Sequence, residues 1–229
     1  MKQLSIWNFY ARAYDVINKN VPYLKMLDEV ILEARINGSL KVLDAGCGTG
    51  NLLKKISQTS FNGKFIGIDS SEEMLNRAKK KFLSNPSVTL HYADLDKKLE
   101  FPDCSFDRIV SSNALYALRE PQEMVSEFYR LLKPQGKLVF TNPHETSTFS
   151  GIMKKQFQEL GIIKFITHFL LNLPSLLVII FVNIFFLKRN KNFWSKEEAI
   201  RILKENGFKN ISVKLTYANQ GLLVSAIKI

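Results

Sequence analysis

Val42-Leu43-Asp44-Ala45-Gly46-Cys47-Gly48-Thr49-Gly50-Asn51-Leu52-Leu53 is the stretch on which the fold is decided. Leu40 to Leu43 is a short apolar run with Lys41 inside it, the pattern of a buried parallel strand. Three glycines at alternate positions then predict a turn, and Asn51 to Thr59 reads as a helix. Glycine tolerates positive φ and puts no Cβ between the backbone and a ligand. The helix that follows directs its free N–H groups at the same spot. Strand, glycine turn and helix together predict a nucleotide-sized cradle at the carboxyl end of the first strand.

The next segments outward repeat the pattern. Phe65-Ile66-Gly67-Ile68-Asp69 is an apolar run whose acid falls nineteen positions after Gly50, where a doubly wound fold holds a ribose. Asp94, in His91-Tyr92-Ala93-Asp94, follows a third strand-like run from Val88 to Tyr92. Three acids thus close three successive strands. Between them, Ser70 or Ser71 caps a helix from Glu72 to Leu83, with acids in its first turn and lysines in its last. Phe101 to Ser105 turns into strand four, Phe106 to Ser112. Helix Glu120–Leu132 follows, then a Lys133-Pro134-Gln135-Gly136 turn and strand five, Lys137 to Thr141. Helix Lys196–Asn206 and paired strands Ile211–Tyr217 and Leu222–Ile227 end the chain. At its start, Trp7 to Ile36 predicts one or two helices broken near Pro22, with Ile6, Tyr10, Tyr14 and Ile17 on one face.

Asp-x-Gly-x-Gly-x-Gly at 44–50, Gly-Ile-Asp-x-Ser-x-x-Met-Leu at 67–75, Ala93-Asp94 and Phe-Pro-Asp-x-Ser-Phe-Asp at 101–107 resemble the class I S-adenosylmethionine-dependent methyltransferases. The nearest branch holds the ubiquinone and menaquinone C-methyltransferases and the soluble phospholipid N-methyltransferases. The resemblance covers Tyr10 to Phe140 and returns at Trp194 to Gly207. It implies an α/β, Rossmann-like doubly wound sheet of seven strands in the order 3-2-1-4-5-7-6, the last strand antiparallel, and S-adenosylmethionine as cofactor. It also implies that Asp44, Gly46, Gly48 and Gly50 contact the methionine half, Asp69 the ribose and Asp94 the adenine amino group. Met74 would pack on the adenine. Ala45, Cys47, Ser70, Ala93, Leu95, Ser111, Ser112 and Asn113 complete the implied cofactor set. Tyr10-Ala11-Arg12-Ala13-Tyr14-Asp15 resembles a segment that folds across the cofactor, where Tyr10 and Tyr14 would face the sulfonium. The alternative is that both tyrosines are core aromatics.

Composition bounds the rest. With 229 residues, 46% of them hydrophobic, one domain spanning 1–229 is the simplest reading, with an N-terminal helical cap at 1–36 and an insertion at 146–191. The first residues lack the apolar core of a secretion signal, and two cysteines make no disulfide framework, so a cytoplasmic setting is expected. Cys47 reads as a small packing residue of the turn. The net charge of +11 raises nucleic acid or an anionic membrane as partners. The lysines occur in short clusters (Lys54-Lys55, Lys79-Lys80-Lys81, Lys97-Lys98, Lys154-Lys155, Lys188-Arg189-Asn190-Lys191) with no RNA-reading module, so nucleic acid is disfavoured. A tRNA or rRNA methyltransferase stays as an alternative class, as does a non-catalytic binding module. A dinucleotide oxidoreductase is disfavoured because the third glycine comes one residue early. The histidines and cysteines show no metal-ligand spacing.

The insertion carries the acceptor question. Phe169 to Leu187 bears no formal charge and is long enough to cross a membrane. A single crossing would leave the last two strands on the far side of the bilayer, away from their sheet. Two readings survive: a hydrophobic helical lid over the acceptor, or contact of 150–191 with one membrane face. Both imply a hydrophobic small-molecule acceptor, such as a quinone, isoprenoid, polyketide or acyl metabolite, and the nearest alternative among enzymes is a phospholipid or membrane-quinone methyltransferase docked by this basic, apolar insertion. A base is needed only if the nucleophile must lose a proton. His144, after strand five, is the first candidate for that task and Tyr14 and Tyr116 are further catalytic candidates; Glu145 and His168 rank lower. Asn142-Pro143 lacks the second proline and aromatic of the nitrogen-gripping motif, and it follows the wrong strand.

Overall fold

In the computed structural model the apolar runs pair into one seven-stranded sheet. The structure describes residues 2–58, 62–187 and 192–229, with side chains from 7 to 58, 62 to 182 and 192 to 229. Thr59, Phe61, the Lys188-Arg189-Asn190-Lys191 cluster and the side chain of Ile6 therefore lie outside the described residues. Strands β1 (Lys41–Ala45), β2 (Lys64–Asp69), β3 (Val88–Tyr92), β4 (Phe106–Ser112), β5 (Leu132–Pro143), β6 (Lys209–Thr216) and β7 (Gly221–Ile227) lie in the order 3-2-1-4-5-7-6. The first five are parallel, and β7 enters antiparallel between β5 and β6. This is the topology that the resemblance implied.

Alternation along the strands separates two cores. Val42, Phe65, Val110 and Val139 face α2 (Val21–Ala34) and α3 (Asn51–Ser57), packing on Val30, Leu53 and Ile56. Leu43, Ile109, Leu138 and Phe140 face α5 (Pro121–Leu131) and α7 (Lys196–Glu205), packing on Phe128, Leu131 and Ile202. Between β2 and β3, α4 (Glu72–Lys81) is capped by Ser71, whose hydroxyl accepts from the Met74 N–H at 3.2 Å. At the N-terminus, α1 (Lys2–Tyr14) ends in a 3-10 turn, Asp15–Lys19, and Asn20 caps α2 by accepting from the Tyr23 N–H at 2.9 Å. Pro22 sits in the first turn of α2, where its missing N–H costs nothing. The break thus falls just before that proline.

Strand five begins earlier than its preceding turn suggested. Leu132 already pairs with Phe106, and the register then shifts before Arg108 pairs with Lys137. Lys133 to Gly136 is therefore a bulge inside the strand, with Gln135 at φ +62°. The insertion forms α6 (Phe149–Leu187), interrupted at Gly161 (φ 71°, ψ 168°). Its second half packs Ile179 and Val182 on Tyr10, Ala13 and Met74. Gln156 fixes the first half: its Oε1 accepts the Val21 N–H at 2.8 Å, and its Nε2 donates to the Lys19 carbonyl at 3.1 Å. Since β7 pairs with β5, the chain that leaves β5 for α6 returns to the same sheet after it.

One acid ties α2 to the antiparallel end of the sheet. Glu33 accepts from Lys137 of β5 (2.7 Å), Lys214 of β6 (2.8 Å) and the Ser225 hydroxyl of β7 (2.9 Å). Lys137, then Lys214, hold its carboxyl down from the ordinary 4.5 to about 2. A depressed acid stabilises the fold fully above its unfolded value and loses that contribution as pH falls through its folded one. The shift corresponds to roughly 3 kcal/mol. Glu33→Gln should therefore lower urea-unfolding stability by about that order at pH 7. The deficit against wild type should shrink steadily below pH 4.5, and a pH-independent deficit would contradict the assignment.

Candidate active site

Adjacent strands β3, β2 and β1 bring Asp94, Asp69 and Asp44 to one edge of the sheet. Asp44 is 1% exposed, and both its carboxylate oxygens lack a hydrogen-bond partner among the described residues. Burial, then the neighbouring Asp69, pushes its carboxyl from 3.8 up to about 8. A buried charge without a partner is strongly disfavoured, so at neutral pH this group holds its proton until a cation arrives. Asp69 behaves differently. Its Oδ2 accepts the Gly48 N–H and its Oδ1 the Ser71 N–H, both at 2.8 Å. Burial still raises it, against those backbone donors. Two oxygens with four acceptor positions leave room for a diol. Asp94 lies at the more open end, where its Oδ1 accepts the Asp96 N–H at 3.0 Å and Lys97 stands 3.5 Å away.

The three glycines serve different ends. A Cβ on Gly46 would sit 2.4 Å from the Ala114 Cβ, and one on Gly50 would sit 2.6 Å from the Phe82 ring. At Gly48 (φ +55°) nothing lies nearer than Tyr14 at 3.8 Å and the Met74 sulfur at 4.0 Å. Of the three, Gly48 alone would hold a Cβ with nothing nearer than ordinary van der Waals contact, beside a tyrosine and a methionine. Ala45 and Cys47 are buried beneath it; the Cys47 N–H donates to the Ile68 carbonyl at 2.9 Å, and burial pushes its thiol up. Leu95 packs beside Gly46, 3.5 Å from such a Cβ. Ser70 follows Asp69 and lends its backbone N–H, and Ala93 donates its own to the Asp69 carbonyl at 3.1 Å.

Aromatic rings stand over this turn. Tyr10 meets Tyr14 edge-on at 5.3 Å, and Trp7 meets Tyr10 at 5.7 Å. Tyr14 and Tyr23 share a hydrogen bond, and Tyr217 meets Tyr23 edge-on at 6.3 Å. Burial raises all of these phenols that titrate abnormally: Tyr14 well above its usual value, then Tyr23 and Tyr217, with Tyr116 pushed up to about 12. They are hydrogen-bond donors at neutral pH, not bases. A polar cluster fastens the aromatic segment down. Asp15 accepts from Thr49 (2.6 Å) and Lys81 (2.8 Å), and Lys81 also reaches Thr49 (2.9 Å) and Asn51 (2.8 Å).

The residues at the end of β4 divide by task. Ser111 donates to the Ala45 carbonyl at 2.8 Å, and Asn113 (φ +52°) exchanges hydrogen bonds with Thr141. Both serve the strand edges. The Ser112 hydroxyl and the Asn142 Oδ1 on β5 are buried and have no hydrogen-bond partner among the described residues. His144 lies further out: its Nδ1 is 2.8 Å from the Thr146 hydroxyl, its N–H donates to Gln220, and its backbone bridges to Trp194. These contacts belong to the β5–β7 edge rather than to the Asp44 turn. His168, on α6, neighbours Asn172 and Lys19, and burial lowers its basicity. Reading the sequence missed Tyr23, Tyr217, Asp15 and Lys81. Lys81 ends a lysine run that reads as solvated, and Tyr217 reaches the site only through a hairpin whose Tyr217, Ala218 and Asn219 all adopt positive φ.

The profile of a family described as a methyltransferase domain matches residues 36–207. The chain belongs to the class I S-adenosylmethionine-dependent methyltransferases. The demethylmenaquinone methyltransferase of Symbiobacterium thermophilum is 30% identical over 135 residues, covering 56% of this chain and 54% of that protein. The chain thus spans about half the length of this curated relative. A methyltransferase from Aquifex aeolicus superposes with a TM-score of 0.66 at 20% identity, covering 95% and 98% of the two chains. The phosphoethanolamine N-methyltransferase 2 of Haemonchus contortus, solved with S-adenosyl-L-methionine, gives 0.68 at 18% identity, covering 96% of this chain and 57% of its own. The residues of this methyltransferase fit such a cofactor: a buried acid without a partner among the described residues for a cation, and a glycine turn uncrowded at Gly48.

Two outcomes follow from the geometry. A raised acid favours the folded state at low pH and disfavours it as pH climbs toward the folded value. Asp44→Asn should thus raise the Tm of the cofactor-free protein by a few degrees at pH 8 and by almost nothing at pH 4, while weakening cofactor binding at least about tenfold. Both glycines sit at positive φ (+55° and +78°), so Gly48→Ala and Gly50→Ala should each lower Tm; Gly50→Ala should lower it further, because its Cβ also meets Phe82, and Gly48→Ala should in addition weaken cofactor binding. Calorimetric titration beside thermal melts checks both.

Proposed function

We propose that this enzyme moves the methyl group of S-adenosylmethionine to a hydrophobic small molecule that enters beneath the Tyr14 and Tyr116 rings. The observation that carries the reading is the Asp44 carboxylate, unpartnered among the described residues, with the half-buried phenols of Tyr14 and Tyr116 nearby. In this reading Asp44 and the 46–50 turn hold the methionine end, Asp69 the ribose hydroxyls, and Asp94 the adenine amino group. Met74 supports the adenine, and Ser112 offers its free hydroxyl near the methionine end. The bound cofactor supplies an activated methyl group on a sulfonium. The chain's own part is to orient and to exclude water. Tyr10 and Tyr14 set aromatic faces against the positive charge. Alignment of donor and acceptor can supply on the order of 7–11 kcal/mol in the most favourable cases.

The raised phenols of Tyr14 and Tyr116 would donate hydrogen bonds to an acceptor oxygen rather than take its proton. His144 can act as the base only for an acceptor long enough to reach the β5–β7 edge. The name of the Symbiobacterium relative supports a quinone-like acceptor, and the apolar α6 supports a poorly soluble one. Transfer to tRNA or rRNA is the competing class, favoured by the charge of +11 alone.

Incubation with methyl-labelled cofactor and separated lipid, metabolite and RNA extracts tests this. Label should enter an organic-phase small molecule, and Asp69→Ala should abolish both labelling and cofactor binding. Label confined to RNA would overturn the acceptor class.

A further inference from the structure

The outer face of α6 is apolar where a helix facing water carries charge. Ile163, Ile166, Leu170, Leu177 and Phe181 recur at helical spacing, and Ile163 (78%), Leu171 (77%) and Phe181 (68%) are strongly exposed. The opposite face, through Leu176, Ile179 and Val182, is the one buried on α1. So large a contiguous apolar surface marks a binding surface. Its flanks are basic. From Phe149 to Lys191 the sequence has Lys154, Lys155, Lys164, Lys188, Arg189 and Lys191 against one acid, Glu159. Glu159 is already engaged by Lys25 at 2.8 Å and Lys155 at 3.5 Å.

We propose that α6 docks the enzyme on an anionic lipid bilayer, lying in the interface with its outer face among the acyl chains and its basic residues at the headgroups. Spanning is excluded by topology, since β7 must return to β5. A second copy of the chain is a poorer occupant. A symmetric contact sets the same patch against itself, so the basic flanks would meet like charge. Anionic lipid meets both halves of the surface at once.

The docking element is joined to the site. Ile179 and Val182 share one apolar cluster with Tyr10 and Met74, and Lys19 donates to Asn172 of α6 at 3.0 Å. The bilayer would thus bear on the segment that carries Tyr14. Resting on the acceptor reading above, this places a lipid-dissolved acceptor next to the aromatic roof.

Flotation of the full chain with phosphatidylcholine vesicles, with and without phosphatidylglycerol, tests the docking. The wild type should float with the anionic vesicles, less at high salt, and at least ten times more than Leu170→Ser/Leu171→Ser/Phe181→Ser. That variant changes exposed positions only, so its calorimetric affinity for S-adenosylhomocysteine should match wild type. Should it lose that affinity, Lys154→Ala/Lys164→Ala replaces it, with severalfold weaker flotation expected. Absence of wild-type flotation, or equal flotation of the variants, overturns the proposal. So does a lipid-free dimer that the serine variant dissociates. Flotation and cofactor affinity are read separately, so failure of the docking leaves the methyl-transfer reading standing.

Discussion

A carboxylate enclosed at the end of β1 with nothing to pair with is the constraint around which this molecule is arranged. Asp44 is covered by its own sheet and by the turn that follows it, and Asp69 adds a second negative group nearby. A fold selected for stability alone would place a Leu or an Asn there. Retaining an acid that costs stability whenever it ionises makes sense if a cationic ligand supplies the missing partner. The glycine turn is the geometric counterpart. Gly46 and Gly50 let the chain pass close to Ala114 and Phe82, and Gly48 is the least crowded of the three.

The N-terminal segment matters because it covers this space without belonging to the sheet. Its aromatic rings come from α1, which packs on α4 and α6. Lys81, Thr49, Asp15 and Asn51 form one hydrogen-bonded cluster joining the glycine turn, the 3-10 turn after α1, and the end of α4. Burial alone would push the Lys81 ammonium toward losing its proton, and Asp15 opposes that. The roof is therefore fastened by charge on one side and by the apolar contacts of α6 on the other. Events on α6 and events at the cradle share the same helix.

The parts that could be read from the sequence are those written in local pattern. Apolar runs ending in Asp44, Asp69 and Asp94, with glycines between, specify parallel strands and a switch point, and the order 3-2-1-4-5-7-6 was implied by the family resemblance that these motifs carry. Pro22 announces the break before α2 for the same local reason. Contacts made over long distances were not legible. Tyr217 reaches Tyr23 through a hairpin that contains left-handed residues but no glycine among them. Lys81 looks like the solvated end of a lysine run until the tertiary fold turns it inward. The start of β5 was hidden by a proline-glycine segment that reads as a turn and is a bulge. Ser111, Ser112 and Asn113 look equivalent in sequence, and only packing shows that one hydroxyl of the three residues is left free.

Proton release on cofactor binding tests the central claim most directly. Titrating S-adenosylhomocysteine into the enzyme at pH 7, in buffers of different ionisation enthalpy, counts the protons expelled. With Asp44 titrating near 8 in the free enzyme and ionised opposite a bound ammonium, close to one proton should leave per site, and none in Asp44→Asn. Binding with no proton exchange, or with the same exchange in the variant, would contradict the account.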